Sequence, residues 1–322
     1  MTKDAVLAIL RKENDYISGE HISRLLGVSR AAVNTAVKAL RADGYEISSS
    51  TNKGYHLDAV PNSISAQELA AYLDEARMQT VECLASVDST NNRLRELALA
   101  GAPNGQVVLA NEQTQGKGRR GRAFASPQDN GIYLSILFHP DTLPTDIVEI
   151  TAWTAVATNN AIEEVCGVRA GIKWVNDLVI DRKKICGILT EMSVESESGY
   201  IQYLIIGIGI NVNGQAEDFP AEIRSTATSL AMETGKTHSR AALAAALIRE
   251  LDSMCRAWPK EKTEYLEDNI TTGKEITVVR GTEEAPAFAV AIGDDFSLRV
   301  RYADGRSEAL SSGEISIRGL YN

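Results

Sequence analysis

Two apolar runs near the middle of the chain are separated by only four polar residues. Residues 178–180 and 185–192 have the length and composition of β-strands, and Asp181-Arg182-Lys183-Lys184 stands between them. A connection this short joins antiparallel neighbours, since a parallel crossover needs a dozen or more residues. The sheet is therefore at least partly antiparallel, and the fold class is α+β.

Strand-like and helical runs continue on both sides of this hairpin, from about residue 80 to 268. The other strand-like runs are 107–110, 132–138, 172–174 and 203–212, and the helical runs lie near 89–100, 146–166 and 239–257. Short alternating strands follow at 275–279, 287–292, 298–302 and 315–318, with turns at Gly281, Gly293 and Asp304-Gly305. Their spacing predicts a small β-barrel at the carboxyl end.

The first sixty residues predict three short helices and then a β-hairpin. Gly27 allows a tight turn, and Ser29 is a suitable N-cap for the third helix. After Asp43-Gly44, residues 45–49 and 54–57 have the pattern of two strands. Apolar positions expected in the core of this part are Val6, Ile9 and Leu10, then Ile22, Leu25 and Leu26, and on the third helix Val33, Ala36, Val37 and Leu40. The order is that of a winged helix-turn-helix.

Charge is distributed unevenly along the chain. Residues 1–60 hold eight Lys/Arg and seven Asp/Glu, whereas the remainder holds 25 and 36, within a total net charge of -10. Any nucleic-acid function is therefore expected at the amino end. Residues 59–62 are expected to form a linker, and Ser65-Ala66-Gln67-Glu68 has the pattern of a capping box that opens the next helix. We expect four segments: 1–60, a linker and helix at 61–80, a central domain at 81–268, and the barrel at 269–322.

Composition restricts the classes of protein that need consideration. No apolar run approaches the 18 or so residues of a membrane span, and the amino end lacks a signal-peptide pattern, so a cytoplasmic protein is expected. The four cysteines and four histidines are scattered without metal-ligand spacing, so neither a zinc cluster nor a disulfide framework is expected.

The segment Gln115-Gly116-Lys117-Gly118-Arg119-Arg120-Gly121-Arg122, hereafter the basic loop, carries four cations and three glycines in eight residues. It matches G-x-G-x-x-G, but no amphipathic helix follows it, and it lacks the spacing of a P-loop. The alternative to a binding role is a solvated basic loop. Two anions 4 Å apart repel by about 4 kcal/mol at an effective dielectric of 20, so such cations would help a carboxylate to approach a phosphate.

The basic loop resembles the G-R-G-R-R-G loop of biotin protein ligases. Four further segments resemble that family's signatures in the same order: Val87-Asp88-Ser89-Thr90-Asn91, Lys173-Trp174-Val175-Asn176-Asp177, Lys184-Ile185-Cys186-Gly187-Ile188-Leu189 and Gly207-Ile208-Gly209-Ile210-Asn211-Val212. With the winged helix and the carboxyl-terminal barrel, the resemblance covers nearly the whole chain. It implies a central mixed α/β catalytic domain of the biotin/lipoate ligase type and an SH3-like barrel.

The resemblance also implies a biotin site. Ser89, Thr90 and Asn91 would surround the ureido ring of biotin, and Gln113 would close the same pocket. The alternative is that residues 88–90 only cap the following helix, and capping and binding can coexist. Lys117, Gly118 and Arg119 would contact the carboxylate and phosphate end of biotinyl-5'-AMP. Lys184 would also hold this charge, although the residues alone do not distinguish it from Lys183.

The nucleotide side is implied in the same way. Arg119, Arg122, Asn176 and Asn211 would contact ATP, and Asp177 would either bind the Mg²⁺ that accompanies ATP or orient Lys184; a structural turn at 176–177 is the alternative. Catalysis would rest on Arg119, Lys184 and Asp177. No tightly bound metal is expected. Three positions depart from the family pattern: Lys117 replaces arginine, Val175 replaces proline, and residues 227–230 lack an aromatic that some relatives place over adenine.

The resemblance therefore implies a ligase that makes biotinyl-5'-AMP from biotin and ATP and transfers biotin to a lysine of a biotin carboxyl carrier protein. The amino-terminal domain would make it a repressor of biotin genes that dimerises when the adenylate is bound. The DNA-contacting residues would be Ser29, Arg30, Asn34, Thr35, Lys38, Arg41 and Lys53. The alternatives are a sensor that binds ligand and DNA without catalysis, a lipoate ligase, and an amino-terminal domain with only a stabilising role.

Overall fold

The computed structural model describes residues 2–140, 144–195, 197–256, 262–280, 282–311 and 314–317. The chain divides into two compact units, Met1–Ser63 and Ile64–Asn322. The turn predicted at Gly281 and the predicted strand residue Arg318 lie outside the described residues. Within the described residues, no helix is long and apolar enough to cross a membrane.

The first unit has the predicted order of three helices and a hairpin. The helices are α1 (Thr2–Lys12), α2 (Gly19–Leu26) and α3 (Arg30–Ala42), and the hairpin consists of β1 (Glu46–Ser50) and β2 (Gly54–Ala59). Gly27 adopts φ 64°, and the Ser29 side chain accepts a hydrogen bond from the Ala32 backbone N–H. The predicted turn and N-cap are therefore confirmed.

The core of the first unit follows the predicted helical periodicity with one exception. The predicted stripe of α3, residues 33, 36, 37 and 40, is buried. Leu25 of α2 is 58% exposed, so its prediction as a core position is wrong. Leu7 of α1, which was not predicted as a core position, is buried. The eight-residue helix α2 turns only Ile22 fully inward, because one short helix presents a narrow face to so small a core.

The second unit is built on a seven-stranded sheet in the order β3-β4-β5-β9-β8-β7-β6. Only β3 and β4 run parallel, and every other neighbouring pair is antiparallel, which confirms the predicted mixed sheet. The strands are β3 (Val81–Leu84), β4 (Val107–Ala110), β5 (Gly131–Phe138), β6 (Gly171–Lys173), β7 (Asp177–Ile180), β8 (Lys183–Val194) and β9 (Ile201–Asn211). The helices are α4 (Ala66–Leu69), α5 (Glu75–Met78), α6 (Thr90–Leu99), α7 (Ile147–Cys166), α8 (Leu230–Thr234), α9 (Arg240–Arg256) and α10 (Thr263–Asp268).

The predicted hairpin of β7 and β8 is tighter than its four polar residues indicated. Ile180 pairs with Lys183, so only Asp181 and Arg182 form the turn, and both adopt positive φ, 43° and 69°. Two positive φ values are typical of the type I′ turn, whose twist suits a two-residue hairpin. Lys183 and Lys184 consequently belong to the strand.

The central sheet is covered on both faces, which explains why every residue of β5 is buried. Side chains alternate between faces along a strand. Val108 and Leu137 pack with Leu94 of α6 on one face. Val107 and Ile136 belong to the larger core on the other face, which includes α7 and α9.

The carboxyl-terminal residues form a five-stranded antiparallel sheet in the order β13-β12-β11-β10-β14. Its strands are β10 (Glu275–Arg280), β11 (Glu283–Ile292), β12 (Leu298–Tyr302), β13 (Ser307–Leu310) and β14 (Glu314–Ile317). Residues 307–310 were not predicted as a strand. Among the described residues β13 does not pair with β14, so the sheet is not closed by hydrogen bonds into the predicted barrel.

Phe296 attaches the carboxyl-terminal sheet to the central core. Its ring makes edge contacts with Trp153 and Tyr265, each with centroids 5.3 Å apart. Its backbone carbonyl accepts a hydrogen bond of 2.9 Å from Trp174 Nε1. Trp174 belongs to one of the sequence signatures, so the carboxyl-terminal sheet packs directly behind the segment that carries Asn176 and Asp177.

Candidate active site

A cleft of about 390 Å³ opens between the basic loop and strands β8 and β9. This volume lies in the usual range of small-molecule sites, roughly 300–1,000 Å³. It brings together every ligand-binding residue expected from the sequence: Ser89, Thr90, Asn91, Gln113, Lys117, Gly118, Arg119, Arg122, Asn176, Asp177, Lys184 and Asn211.

The basic loop is a tight hairpin. Its base is closed by hydrogen bonds from Phe124 N–H to Gly116 O and from Gly118 N–H to Arg122 O, of 2.9 and 2.7 Å. At its tip Arg120 adopts φ 55° and Gly121 φ 74°. These hydrogen bonds hold the backbone from which the cationic side chains at the tip extend.

Three cations of the loop reach three different parts of the second unit. Lys117 Nζ donates to Asn92 Oδ1 on α6. Arg119 Nη1 donates to Asn176 Oδ1 at 2.9 Å, and Arg120 Nη2 donates to Val279 O of β10 at 3.3 Å. The loop therefore spans the cleft from α6 to the carboxyl-terminal sheet.

Strands β7 and β8 place a charged pair opposite the loop. Lys184 Nζ lies 2.6 Å from Asp177 Oδ1, and both residues line the cleft. Asn176 is buried, and its Nδ2 donates to Ile188 O at 2.9 Å, which turns its Oδ1 toward Arg119. Lys183 is not among the residues that line the cleft.

The amino end of α6 forms the polar wall of the cleft. Ser89, Thr90 and Asn91 are each no more than 3% exposed. Ser89 occupies the N-cap position but makes no side-chain cap hydrogen bond. Instead, Gln113 Oε1 accepts from the Thr90 backbone N–H at 2.9 Å, so a residue from the next loop satisfies this helix end. A hydrogen bond from Asn92 lowers the pKa of the adjacent Asp88 carboxyl.

The glycines of β8 and β9 make room for side chains of the protein itself. A Cβ on Gly207 would lie 2.3 Å from Asn91 Oδ1, and one on Gly209 would lie 2.4 Å from Phe124 Cε1. Asn91 and Phe124 therefore lie flat against the sheet. Asn211 Nδ2 donates to Thr228 O at 3.0 Å, which fixes its side chain at the end of β9.

Several residues that line the cleft were not singled out from the sequence. Phe124 and Phe219 add aromatic surface, and Lys173 adds a buried cation. Ile315 and Ser316 come from β14, more than a hundred residues beyond Asn211 at the end of β9. Phe124 lies two residues after the basic loop and could have been noticed; the others carry no local sequence signal.

The described residues hold no group of three or more His, Cys, Asp or Glu side chains that could bind a metal ion. Asp177 is the one carboxylate among the described residues that line the cleft, and its Oδ1 contacts Lys184. Mg²⁺ in nucleotide sites is commonly held by one or two carboxylates together with substrate phosphates. One carboxylate beside the cations of the cleft fits an ion that enters together with a nucleotide.

The residues expected to contact DNA are all exposed in the first unit: Ser29, Arg30, Asn34, Thr35, Lys38, Arg41 and Lys53. Arg41 differs from the others because its Nε and Nη2 donate to Ile47 O on the hairpin, and Nη2 also donates to Ser49 Oγ. It therefore holds the hairpin against α3.

Fold and site define a protein with a helix-turn-helix unit and an α/β unit that carries a cationic cleft. Residues 2–56 match the family model described as "HTH domain", and residues 83–211 match that of the "Biotin/lipoate A/B protein ligase family". The chain is 39% identical over 242 residues to the bifunctional ligase/repressor BirA of Bacillus subtilis, covering 75% of this chain and 74% of that protein. The chain belongs to this family of bifunctional biotin protein ligases.

Two matches at lower identity support the same family. The bifunctional ligase/repressor BirA of Escherichia coli is 27% identical over 319 residues, which cover 97% of this chain and 96% of that protein. The structure of the biotin protein ligase from Aquifex aeolicus in complex with biotin and ATP superimposes with a TM-score of 0.62 at 27% identity, covering 74% of this chain and 98% of that one. The resemblance inferred from the sequence signatures is confirmed.

Proposed function

We propose that this protein catalyses two linked reactions in the cleft. A biotin carboxylate oxygen attacks the α-phosphorus of ATP, the bond to the β-phosphate bridge breaks, and biotinyl-5'-AMP and pyrophosphate form. The ε-amine of an acceptor lysine then attacks the acyl carbon, loses a proton and releases AMP. The acceptor class is a biotin carboxyl carrier protein of a biotin-dependent carboxylase.

The observation that carries this proposal is the convergence of cations on one seam. Arg119 reaches Asn176 from the basic loop, next to the Lys184–Asp177 pair on the opposite strands. Two anions meeting there would repel by about 4 kcal/mol at 4 Å and an effective dielectric of 20. Fixed cations offset this repulsion and stabilise the charge that develops during transfer.

Two groups of residues in the cleft bind different parts of the substrate. The residues that line the cleft and supply hydrogen-bond donors and acceptors for the ureido ring are Ser89, Thr90, Asn91 and Gln113. Lys117, Gly118, Arg119 and Lys184 hold the carboxylate and the α-phosphate, where the planar guanidinium of Arg119 binds an oxyanion. Both groups act through contacts with the substrate rather than through proton transfer.

The nucleotide subsite comprises Arg119, Arg122, Asn176 and Asn211. ATP enters as its Mg²⁺ complex, and Asp177 is the proposed carboxylate ligand of that ion or orients Lys184. The second role is supported by the 2.6 Å contact between Asp177 Oδ1 and Lys184 Nζ. Phe219 supplies an aromatic surface within the cleft, a role for which residues 227–230 offer no candidate.

Transfer of labelled biotin tests the enzymatic proposal. The protein is incubated with labelled biotin, MgATP and a biotin carboxyl carrier domain, and both pyrophosphate release and labelling of the domain are measured. We expect both signals to require biotin and to persist in the presence of excess lipoate. Absence of biotin-dependent pyrophosphate would contradict a ligase and favour a ligand sensor.

The first unit is proposed to bind an operator of biotin genes as a homodimer when biotinyl-5'-AMP occupies the cleft. A helix-turn-helix dimer reads two half-sites, with α3 as the recognition helix. The proposed DNA contacts are supported by the exposure of Ser29, Arg30, Asn34, Thr35, Lys38, Arg41 and wing residue Lys53. Binding to a palindromic duplex should weaken steeply as salt is raised, and a flat salt response would contradict phosphate contacts.

We also retain three finer assignments as proposals. The carboxyl-terminal sheet is an SH3-like barrel, the domains are 1–60, 61–80, 81–268 and 269–322, and the protein is cytoplasmic. The antiparallel order β13-β12-β11-β10-β14 supports the first. The change of unit at residues 63–64 supports a linker near this position.

A further inference from the structure

Lys117 is the exposed cation of the basic loop that reaches α6 at the rim of the cleft. Its Nζ donates to Asn92 Oδ1, and Asn92 Nδ2 donates in turn to Asp88 Oδ2. Lys117 lines the cleft, whereas Asn92 and Asp88 do not. Asn92 can therefore influence a bound substrate through the ammonium group that it holds.

The two neighbours of Asn92 fix the direction of its amide. An ionised carboxylate only accepts hydrogen bonds, and an ammonium group only donates them. The amide nitrogen must therefore face Asp88, and Oδ1 must face Lys117. Arg95 Nη1 approaches the same oxygen at 3.4 Å, so a second cation also meets it from the acceptor side. Asn92 is thus a neutral acceptor between an anion and a cation.

The backbone that leads to Lys117 is held against the residues that precede α6. Thr114 N–H donates to Val87 O at 2.9 Å, and Gln115 N–H donates to Asp88 O at 2.8 Å. These bonds fasten the first arm of the basic loop. The remaining freedom lies in the long side chain of Lys117, because an exposed lysine otherwise samples many rotamers. The contact with the α6 amide restricts this freedom.

We propose that Asn92 is a positioning residue that holds the Lys117 ammonium at the rim of the cleft for the carboxylate of the substrate. This rests on the proposed function, in which that carboxylate belongs to biotin. An ammonium group has three donors, and Asn92 occupies one of them, so the others remain for the substrate. Since Asn92 carries no charge, it orients the cation without neutralising it. The rotamer entropy of Lys117 is then lost on folding rather than on binding.

Biotin-dependent pyrophosphate release tests the role of Asn92. In Asn92→Ala we expect kcat/KM for biotin to fall about fivefold, because the lysine must then be ordered when the substrate binds. Asn160→Ala is the matched control, since Asn160 also lies between a carboxylate and a cation. Its Nδ2 donates to Glu264 Oε2 at 3.3 Å and its Oδ1 accepts from Arg169 Nη1 at 3.1 Å, but it does not line the cleft.

Asn92→Asp separates this role from a structural one. Asn92 lies in the first turn of α6, where a negative charge stabilises a helix. If Asn92 only supported the helix end, aspartate would preserve activity. We expect instead a larger loss than in Asn92→Ala, because the new carboxylate pairs with Lys117 and repels the substrate anions. Preserved activity in Asn92→Asp would overturn the proposal.

The decisive comparison is Asn92→Ala in a Lys117→Met background. Without the ammonium group nothing remains for Asn92 to orient, so kcat/KM for biotin should change less than about twofold there. Equal losses in both backgrounds would show that Asn92 acts in another way and would overturn the proposal. Wild-type activity in Asn92→Ala or in Lys117→Met would overturn it as well. Lack of biotin-dependent release by the wild-type protein would instead overturn the proposed function.

Discussion

The Nζ atom of Lys184 lies 2.6 Å from Oδ1 of Asp177, across the hairpin of β8 and β7. The Lys184 side chain is 32% exposed and that of Asp177 17%, so the pair lies at the edge of the cleft rather than in the core. An ammonium group has three donors, and this contact uses one of them. Asp177 thereby orients a cation that still has capacity for a substrate anion.

Replacement of Lys184 by Met should lower the rate of adenylate formation by about 100-fold, as observed when one stabilising donor is removed from a developing anion. Asp177→Asn should have a smaller effect, since the cation remains but is less well oriented. Biotin-dependent pyrophosphate release measures both. Lys183→Met is the control because Lys183 does not line the cleft, and an equal loss in that variant would argue against a specific role for Lys184.

Replacement of Arg119 by Lys tests whether the planar fork matters beyond its charge. Arg119 Nη1 contacts Asn176, and a guanidinium is a planar fork of donors that a lysine ammonium cannot reproduce. We expect Arg119→Lys to lower kcat by at least about tenfold, because a lysine cannot bind a phosphate in the bidentate manner. Arg182→Lys, in the exposed β7–β8 turn, should behave as wild type. Wild-type kcat in Arg119→Lys would show that charge alone suffices.

A Gly207→Ala substitution should weaken biotin binding. The added Cβ would lie 2.3 Å from Asn91 Oδ1, so the Asn91 side chain must leave its place against β9. Titration with labelled biotin should show at least about tenfold weaker binding, the equivalent of losing one hydrogen bond. In Gly214→Ala the nearest atom lies at an ordinary 3.6 Å, so this variant serves as the control. Unchanged affinity in Gly207→Ala would argue against Asn91 as a ligand contact.

Stability should decline at mildly acidic pH because of His238. Burial, and then the charge of Lys236, lower the pKa of its imidazole, while its Nε2 lies 2.6 Å from Thr234 Oγ1. The unfolded chain takes up a proton near the ordinary value of roughly 6.5, but the folded chain does so only at lower pH. The contribution of His238 to the free energy of unfolding is therefore fully present above that value, and it is lost as the pH falls below it.

Thermal unfolding of wild type and His238→Gln measures this effect. The Tm of the wild type should fall more between about pH 7.5 and about pH 5.5 than that of the variant, which carries no titrating group at this position. Parallel pH dependence in both proteins would show that other groups dominate.

Arg41 and Lys38 should differ in effect although both are exposed cations of α3. Arg41 holds the hairpin through Ile47 O and Ser49 Oγ, so Arg41→Ala should lower the thermal stability of the protein. Lys38→Ala should leave stability unchanged and weaken binding to a palindromic duplex, with the slope of log affinity against log salt reduced by about 1. The reverse pattern would contradict these roles.

Local sequence patterns predicted most helices and strands of both units. Continuous apolar runs located β4, β5, β8 and β9, because both faces of the central sheet are buried, and helical runs located α7 and α9. The short strands β3 and β13 and the short helices α5, α8 and α10 were not predicted, since four to six residues contain too few repeats for a pattern to emerge. Leu25 was assigned to the core from periodicity alone, which does not reveal how narrow a core is.

The residues of this chain by themselves determined its amino-terminal order of three helices and a hairpin, its mixed sheet and most of the segments that line the cleft. Turn chemistry, apolar periodicity and glycine placement, on which these predictions rest, act over a few neighbouring positions. Only the tertiary structure decided which groups meet. Arg119 contacts Asn176 57 positions away, and Asn91 contacts Glu191 100 positions away. Such contacts depend on strand order and on how helices pack across the sheet, and these emerge from the whole core rather than from any one segment.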